Sequence, residues 1–435
     1  MKIKDILDHN ITVGIIGLGY VGLPLVREFT QATIPTIGFD VDEKKVASLN
    51  KGRSYIKHIP HTLIKSINKN KLFRASSNFS ELKKVDVILI CVPTPLDNHR
   101  NPDLTAVIKT TEQITKYLKK GQLIVLESTT YPGTTTEELK TRFENKGFKV
   151  GKDIFLAYSP EREDPGNPKF NTSTIPKVVG ADDASSLKLA VAVYEQVVTK
   201  VHAVSSTRAA EATKILENIY RSINIAMINE MKTLFHTMDI DIWEVIEAAS
   251  TKPFGFQKFT PGPGLGGHCI PIDPFYLSWK AREFDLNARF IELAGEVNCS
   301  MPQWVIERLA EGLGDQNKAV KNAKILILGM AYKKNVDDDR ESPSFELMKL
   351  LEKRGAKVQY HDPYIPLFKG SRNYAVKMRS TPLTKTQLKK FDAVLISTDH
   401  DDVDYQFVVT HSKLVVDTRN ATKNVKKHKN RIIKA

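Results

Sequence analysis

Cys269 carries the clearest chemistry in this chain. It follows Pro261-Gly-Pro-Gly-Leu-Gly-Gly-His268 and precedes Ile-Pro-Ile-Asp273, so a thiol ends a glycine-rich loop and a carboxylate stands at i+4. Glycine backbone approaches a ligand closely and takes positive φ without strain, which puts the thiol at the floor of a ligand-contacting loop. If the intervening segment is helical, i and i+4 share a face. Asp273 can then hold or deprotonate a water that attacks a group carried on sulfur. This is a layout for covalent thiol catalysis. Cysteine is more often a small buried hydrophobe, but the glycines and the carboxylate point the other way here.

A second constellation lies near the N-terminus. Gly17-Leu-Gly-Tyr-Val-Gly22 follows the apolar run Ile11–Ile16 and opens a helix-like stretch, Leu23–Thr30, while Asp40 closes the next short strand, Thr36–Phe39. A strand, a glycine turn, a helix and a downstream acid together point to a dinucleotide site. Gly17 permits the tight turn, Gly19 lets a pyrophosphate approach the backbone, and Gly22 allows close helix packing. The helix N-terminus supplies N–H groups and partial positive charge to the phosphates. Asp40 accepts from ribose hydroxyls and repels a 2′-phosphate, so NAD is expected over NADP. Lys44 and Lys45 are cations that could instead meet such a phosphate.

Three later strand ends carry polar residues: Val92-Pro-Thr-Pro95, Glu127-Ser-Thr-Thr130 and Ser159-Pro-Glu-Arg-Glu163. Ligands of open α/β sheets bind outside the carboxyl ends of the strands, so these segments are expected to line one crevice. In Glu211-Ala-Thr-Lys214-Ile-Leu-Glu-Asn218, Lys214 and Asn218 share a helix face. They form a candidate inward-facing pair.

The elements that must position these residues follow from length and pattern. At 435 residues the chain exceeds one ordinary core. Strand candidates Val85–Val92, Leu123–Leu126 and Ile154–Tyr158 continue the first series, the rhythm of a parallel, doubly wound sheet. From Thr207 to Cys299 the pattern turns helical, with stretches at Ala209–Phe235 and Trp243–Ala249. Lys324–Met330 then starts a second α/β series with strands at Lys357–Tyr360, Ala393–Ser397 and Leu414–Asp417. The expected architecture is α/β. Two Rossmann-like domains, 1–205 and 306–435, flank a central helical domain, 206–305.

Three cysteines without framework spacing argue for a reducing compartment. No Cys/His spacing suits zinc, so no metal is expected. Met1–His9 lacks the apolar stretch of a signal peptide and no run reaches a membrane span, which leads to the expectation of a soluble cytoplasmic protein. The net charge of +14 is spread along the chain, clustering only at Lys423–Arg431. It is taken as a solvated surface that favours an anionic substrate, not as a nucleic-acid or membrane footprint.

These residues together resemble the UDP-glucose/UDP-mannuronate dehydrogenase family, over nearly the whole chain. The motifs are Gly17-Leu-Gly-Tyr-Val-Gly-Leu-Pro24, Glu127-Ser-Thr129, Ser159-Pro-Glu161, Lys214 with Asn218, Gly266-Gly-His-Cys269 with Asp273, and Lys333 through Arg340-Glu-Ser-Pro343. The resemblance implies an NAD domain, a central dimerisation domain and a UDP-binding domain, working as a homodimer in surface polysaccharide precursor synthesis. It also implies two successive NAD-dependent oxidations of a sugar C6 alcohol, through a thiohemiacetal and a thioester on Cys269.

By the same resemblance Lys214 and Asn218 stabilise the oxyanion, Asp273 handles water, and Glu161 and Thr129 work beside the sugar. Implied cofactor contacts are Gly17, Gly19, Val21, Gly22, Asp40, Lys45, Thr94, Thr129 and Arg340. Implied substrate contacts are Glu161, Lys214, Leu265, Gly266, Gly267, Tyr332, Lys333 and Arg419. The chain reads Cys269-Ile-Pro-Ile-Asp273 where UDP-glucose enzymes carry Cys-x-Pro-Lys-Asp, and Arg162–Asn167 replaces their more apolar run. Both departures resemble the branch acting on UDP-N-acetylglucosamine or its galacto epimer, with UDP-glucose or UDP-N-acetylmannosamine as alternatives. Glu163 and Asp164 both stand where the family carries a second glutamate.

Two other function classes compete. A two-electron hydroxyacid-type dehydrogenase also pairs an NAD domain with a helical domain and a lysine, but it does not account for Cys269, the third domain, Lys333 or Arg419. A non-catalytic nucleotide-sugar sensor would not need the full set of Cys, Lys, Asn and Asp.

Overall fold

The computed structural model describes residues 1–56, 59–97, 99–163, 172–267, 269–370 and 374–435. They pack as two units, Met1–Glu217 with Phe275–Asn287, and Asn218–Pro274 with Ala288–Ala435.

In the first unit, short runs form β1 (Val13–Ile16), β2 (Thr36–Phe39), β3 (Phe73–Ser76), β4 (Val87–Ile90), β5 (Leu123–Leu126), β6 (Phe155–Tyr158), β7 (Lys177–Gly180) and β8 (Val201–Val204). The spatial order is β3-β2-β1-β4-β5-β6-β7-β8. β1, β2, β4 and β5 are buried at every position, as strands covered on both faces must be. The helix Gly22–Gln31 lays Leu25, Val26 and Phe29 into the same core as Val13 and Ile15. Each such buried side chain contributes about 1.5–3 kcal/mol. Strand order reverses between β1 and β4, the place where sheets of this type take ligands.

The sheet departs from the expected all-parallel pattern at one pair. β7 runs antiparallel to β6, with Gly180 opposite Tyr158. Three strands also escape the apolar-run reading. β3 (Phe-Arg-Ala-Ser) and β8 (Val-His-Ala-Val) interleave polar residues, and β7 opens on the buried Lys177.

The long helix Thr207–Thr237 belongs to the first unit at its start and to the second thereafter. Its start is capped by the Ser206 hydroxyl, which accepts the Ala209 N–H at 3.1 Å, while Asp182 accepts the Thr207 N–H at 3.2 Å and its hydroxyl at 2.9 Å. In the second unit Ile228 packs against Ile242, Trp243 and Ile246 of the helix Ile242–Ala249. The helix Arg289–Gly314 places Val305, Ile306, Leu309 and Leu313 under the second sheet.

That sheet joins β9 (Lys324–Leu328), β10 (Lys357–His361), β13 (Ala393–Ile396), β14 (Val415–Asp417) and β15 (Ile432–Lys434), all parallel, in the order β10-β9-β13-β14-β15. A separate antiparallel pair is formed by β11 (Leu367–Phe368) and β12 (Met378–Arg379). The second sheet repeats the first one's turn. Gly329 after β9 has φ 92°, as does Gly17 after β1. Asp362 after β10 accepts the Met330 N–H at 2.7 Å, just as Asp40 after β2 accepts the Leu18 N–H at 3.0 Å. Asp362 also accepts the N–H groups of Ala331, Tyr364 and Ile365 and meets His400 Nε2 at 3.1 Å. No helix among the described residues is long and apolar enough to cross a membrane.

Candidate active site

The glycine turn of the first unit tolerates no side chain at two of its three glycines. A Cβ on Gly17 would stand 2.4 Å from the Cys91 carbonyl oxygen, and one on Gly22 would stand 1.9 Å from that of Gly17. Gly19 differs, because its Cβ would meet nothing within 4 Å. That leaves room over the turn at the start of the helix Gly22–Gln31, whose N-cap is Val21. Asp40 is buried and holds the turn from below. Its carboxylate accepts the Leu18 N–H and, at 2.9 Å, the Asp42 N–H. Lys45 Nζ lies 3.7 Å from the same carboxylate and 5.9 Å from the centre of the Tyr55 ring. Lys45 thus stands partly exposed beside the Asp40 carboxylate. The Tyr55 hydroxyl donates to the Leu18 carbonyl at 2.5 Å, completing the ring of contacts.

Three other expected residues of this unit sit at strand ends. Thr94 is buried after β4, and its carbonyl accepts the Tyr276 hydroxyl at 2.8 Å. Thr129 is half-buried after β5, next to Ser128, whose hydroxyl donates to the Val92 carbonyl at 2.7 Å. Glu161, after β6, is pinned by one carboxylate oxygen, which accepts the N–H groups of Arg162 and Glu163 at 2.7 and 2.6 Å. Its Oε2 is enclosed and has no hydrogen-bond partner among the described residues. Burial and the neighbouring Glu161 push the Glu163 carboxyl up. Asp164 to Asn167, expected to help choose the sugar, lie outside the described residues, as does His268.

The Glu127 segment does not present its acid to the crevice as its position suggested. Glu127 is buried, pairs with Lys177 at 2.7 Å and accepts the Tyr194 hydroxyl. Burial lifts the Glu127 carboxyl despite Lys177, and burial together with Glu127 lifts the Cys91 thiol. The Lys177 ammonium is held protonated by Glu127 and Glu161 against the opposing effect of burial. Cys91 is thus poorly suited to act as a thiolate.

In the second unit the loop before Cys269 packs tightly on the segment after β9. A Cβ on Gly266 would fall 2.8 Å from Tyr332 Cβ, and one on Gly267, at φ 81°, would fall 2.8 Å from the Tyr332 ring. The Gly267 N–H donates to the Arg340 carbonyl at 3.1 Å, while the Arg340 guanidinium is engaged by Asp338, with Nη2 at 2.6 Å from Oδ2. The Cys269 carbonyl accepts the N–H groups of Ile272 and Asp273 at 3.2 and 2.8 Å. A helical turn therefore joins thiol and acid, and Asp273 opens the helix Asp273–Ala281. Asn218 donates to the Asp273 carboxylate at 2.6 Å, both side chains being buried.

Earlier in the loop, a Cβ on Gly262 would stand 2.3 Å from Arg419 Nη1, so glycine makes space for that guanidinium. Arg419 Nε donates to the Ser397 carbonyl at 3.0 Å. Leu265, Tyr332 and Lys333 are half-buried. The first unit thus gathers Gly17, Gly19, Val21, Gly22, Asp40 and Lys45 at one turn. The second gathers Asn218, Cys269 and Asp273 at one place, and Gly266, Gly267, Tyr332 and Arg340 at another. Lys214 is buried one helical turn before Asn218 on the long helix.

Comparison with known proteins matches the chain in three successive parts. Residues 11–198 match the NAD binding domain of the UDP-glucose/GDP-mannose dehydrogenase family, residues 208–300 its central domain and residues 326–424 its UDP binding domain. The chain belongs to this family.

Relatives of this dehydrogenase include the UDP-N-acetyl-D-glucosamine 6-dehydrogenase of Pseudomonas aeruginosa, 33% identical over 90% of this chain and 91% of that protein. The UDP-N-acetyl-D-mannosamine dehydrogenase of Methanocaldococcus jannaschii is 34% identical over 93% and 91%. The solved UDP-D-ManNAc dehydrogenase from Pyrococcus horikoshii superposes with a TM-score of 0.85 at 29% identity, covering 96% of each chain. The protein is an NAD-dependent nucleotide-sugar dehydrogenase. The open space over Gly19 and the acceptor at Asp40 fit the cofactor's pyrophosphate and ribose.

Sequence reasoning missed three side chains of this dehydrogenase. Tyr55 lies in a loop without a motif. Lys177 and Tyr194 are distant in sequence from Glu127, and only the fold of β5, β7 and the helix Ala184–Tyr194 joins them. Glu211 was signalled by its place ahead of Lys214, on the same helix, but was assigned no role.

Proposed function

We propose that this dehydrogenase oxidises C6 of a UDP-N-acetylhexosamine, UDP-GlcNAc or UDP-GalNAc, to the uronic acid through a covalent Cys269 intermediate. The observation that carries this reading is the turn that joins the Cys269 carbonyl to the Asp273 N–H, with Asp273 held by Asn218. The Gly17–Gly22 turn would hold NAD+, which would supply the hydride acceptor for each oxidation of the sugar carbon. The alcohol proton passes to water while the Lys214 ammonium stabilises the negative charge developing on the C6 oxygen. The Cys269 thiol then adds to the aldehyde, its sulfur forming a C–S bond to the carbon and its proton passing to the former carbonyl oxygen. The second oxidation sends a hydride to a second NAD+ and that proton to water, which leaves the acyl group on sulfur, with Asn218 donating to its oxygen. Asp273 takes a proton from the attacking water; the C–S bond breaks and the thiolate departs as the acid is released. Glu161, with one oxygen unpartnered among the described residues, orients the sugar or the water, and Thr129 works beside the sugar.

Lys333 and Arg419 supply fixed cations for the diphosphate, while Leu265, Gly266, Gly267 and Tyr332 line the uridine side. Arg340 reaches the cofactor in this reading. In this reading the domain limits are 1–205, 206–305 and 306–435. A homodimer is supported by Tyr220, Met227, Leu234 and Met238, exposed apolar residues on one face of the long helix. The reading extends to a cytoplasmic enzyme supplying surface polysaccharide precursors.

The 2-acetamido preference rests on Ile272, placed where UDP-glucose enzymes carry lysine, and on the relatives' names. Two of the three relatives described above, those from Methanocaldococcus jannaschii and Pyrococcus horikoshii, support UDP-N-acetylmannosamine as a second reading. The test is purified protein with NAD+ and a panel of UDP-sugars, scored by reduced nicotinamide and product mass. UDP-N-acetylhexosamines are expected to turn over far faster than UDP-glucose, with two NAD+ reduced per uronic acid. Faster oxidation of UDP-glucose sinks the substrate reading, and one NAD+ per aldehyde product sinks the four-electron reading.

A further inference from the structure

Glu211 lies one turn ahead of Lys214, and the chemistry above makes no use of it. Its carboxylate is wholly buried, yet it is fully engaged. One oxygen accepts the Thr135 N–H at 2.8 Å and the Thr135 hydroxyl at 2.7 Å; the other accepts the Gly133 N–H at 2.6 Å. All three donors belong to the segment that follows Thr129.

That segment is shaped for the contact. Gly133 sits at φ 113°, where a Cβ would come within 2.5 Å of Glu137 Oε1, so a residue other than glycine would disturb the loop that presents its N–H. The same segment is gripped from the helix Asp273–Ala281. Trp279 packs 5.1 Å from the Tyr131 ring, and Lys280 meets Glu137 at 2.8 Å while lying 4.8 Å over Tyr131. The stretch after Thr129 is therefore a junction on which both helices register.

Burying a carboxylate is costly, and here burial pushes its proton affinity up to about 7 against the pull of Gly133 and Thr135. A neutral side chain that packed equally well would avoid that cost, so a plain stability role accounts poorly for it.

We infer that Glu211 is a positioning residue of the dehydrogenase, clamping the first turns of the long helix to Gly133–Thr135 and so fixing Lys214 relative to Thr129. The inference rests on the proposed role of Lys214. A carboxylate suits the task because it accepts from both N–H groups at once. A glutamine in its place turns one oxygen into an N–H group that faces a donor.

The test is a double-mutant cycle. Glu211→Gln is expected to lower kcat about 30-fold, with KM for the UDP-sugar and NAD+ affinity by fluorescence titration each within about threefold; in a Lys214→Ala background the same change costs less than about twofold. Equal loss in both backgrounds, or an unchanged kcat in Glu211→Gln alone, overturns the inference. Unchanged kcat in Lys214→Ala alone overturns the Lys214 reading instead and takes the inference with it. Should Glu211→Gln fail to fold, Thr135→Val removes only the hydroxyl donor and carries the same cycle, with about a fivefold loss that Lys214→Ala abolishes. Additive losses from Thr135→Val overturn the inference as well.

Discussion

Cys269 differs from the other thiols in what surrounds it. Cys91 is pushed up by burial and by Glu127, while Cys299 is exposed on the helix Arg289–Gly314 with no carboxylate one turn on. Cys269→Ser keeps the backbone bonds from Ile272 and Asp273, since both end on the carbonyl. The variant is expected to bind NAD+ and UDP-sugar within about twofold of the wild type but to lose at least about a hundredfold in four-electron turnover, because an ester is a poorer acyl donor than a thioester. Intact mass should reveal accumulated sugar–enzyme adduct. Full turnover would remove the thiol from the mechanism.

Asp40 accepts the Leu18 N–H, and in the proposed reading it also serves the cofactor ribose. Asp40→Ala is therefore expected to weaken NAD+ binding by about 1–3 kcal/mol and to relax the preference over NADP+. Titrations with both cofactors check this, and a wild type that prefers NADP+ contradicts the ribose argument.

Among the elements, the attachment of the long helix yields a pH prediction. The folded Glu211 carboxyl takes its proton at about 7, above the ordinary 4.5. Between those values the native state holds a proton that the unfolded chain has released, so stability falls as pH rises through the window, by up to about 3 kcal/mol. Denaturant midpoints at pH 5 and pH 8 are expected to differ more in the wild type than in Glu211→Gln, and equal slopes would exclude the effect. The glycine turn and the Cys269–Asp273 turn were legible in the sequence because glycine positions and i, i+4 spacing are local. The grip of Gly133 and Thr135 on Glu211 was not, since it joins segments far apart in sequence and leaves no periodic mark. β7 hides for the same reason, since Lys177 looks like a surface residue until Glu127 is found beside it, whereas β3 and β8 hide because polar residues interrupt their apolar runs.

At the scale of the whole molecule, the order of an α/β series, a helical stretch and a second α/β series was readable from where apolar runs begin and end. The antiparallel step between β6 and β7 was not, because a run of apolar residues carries no direction. The repeated turn, with Gly17 and Gly329 in the same conformation and an aspartate beneath each, bears on stoichiometry. Asp362 already serves four backbone N–H groups and His400, whereas Asp40 serves two, so of these two turns the Asp40 turn is the better placed to accept from a ribose. Calorimetry is expected to count one NAD+ per chain, and a second equivalent site would contradict this. In the proposed four-electron reaction, two hydrides passing through a single berth would require the spent nicotinamide to be exchanged midway, while the half-oxidised sugar waits. The bond to sulfur proposed for Cys269 would keep it from drifting away during that changeover.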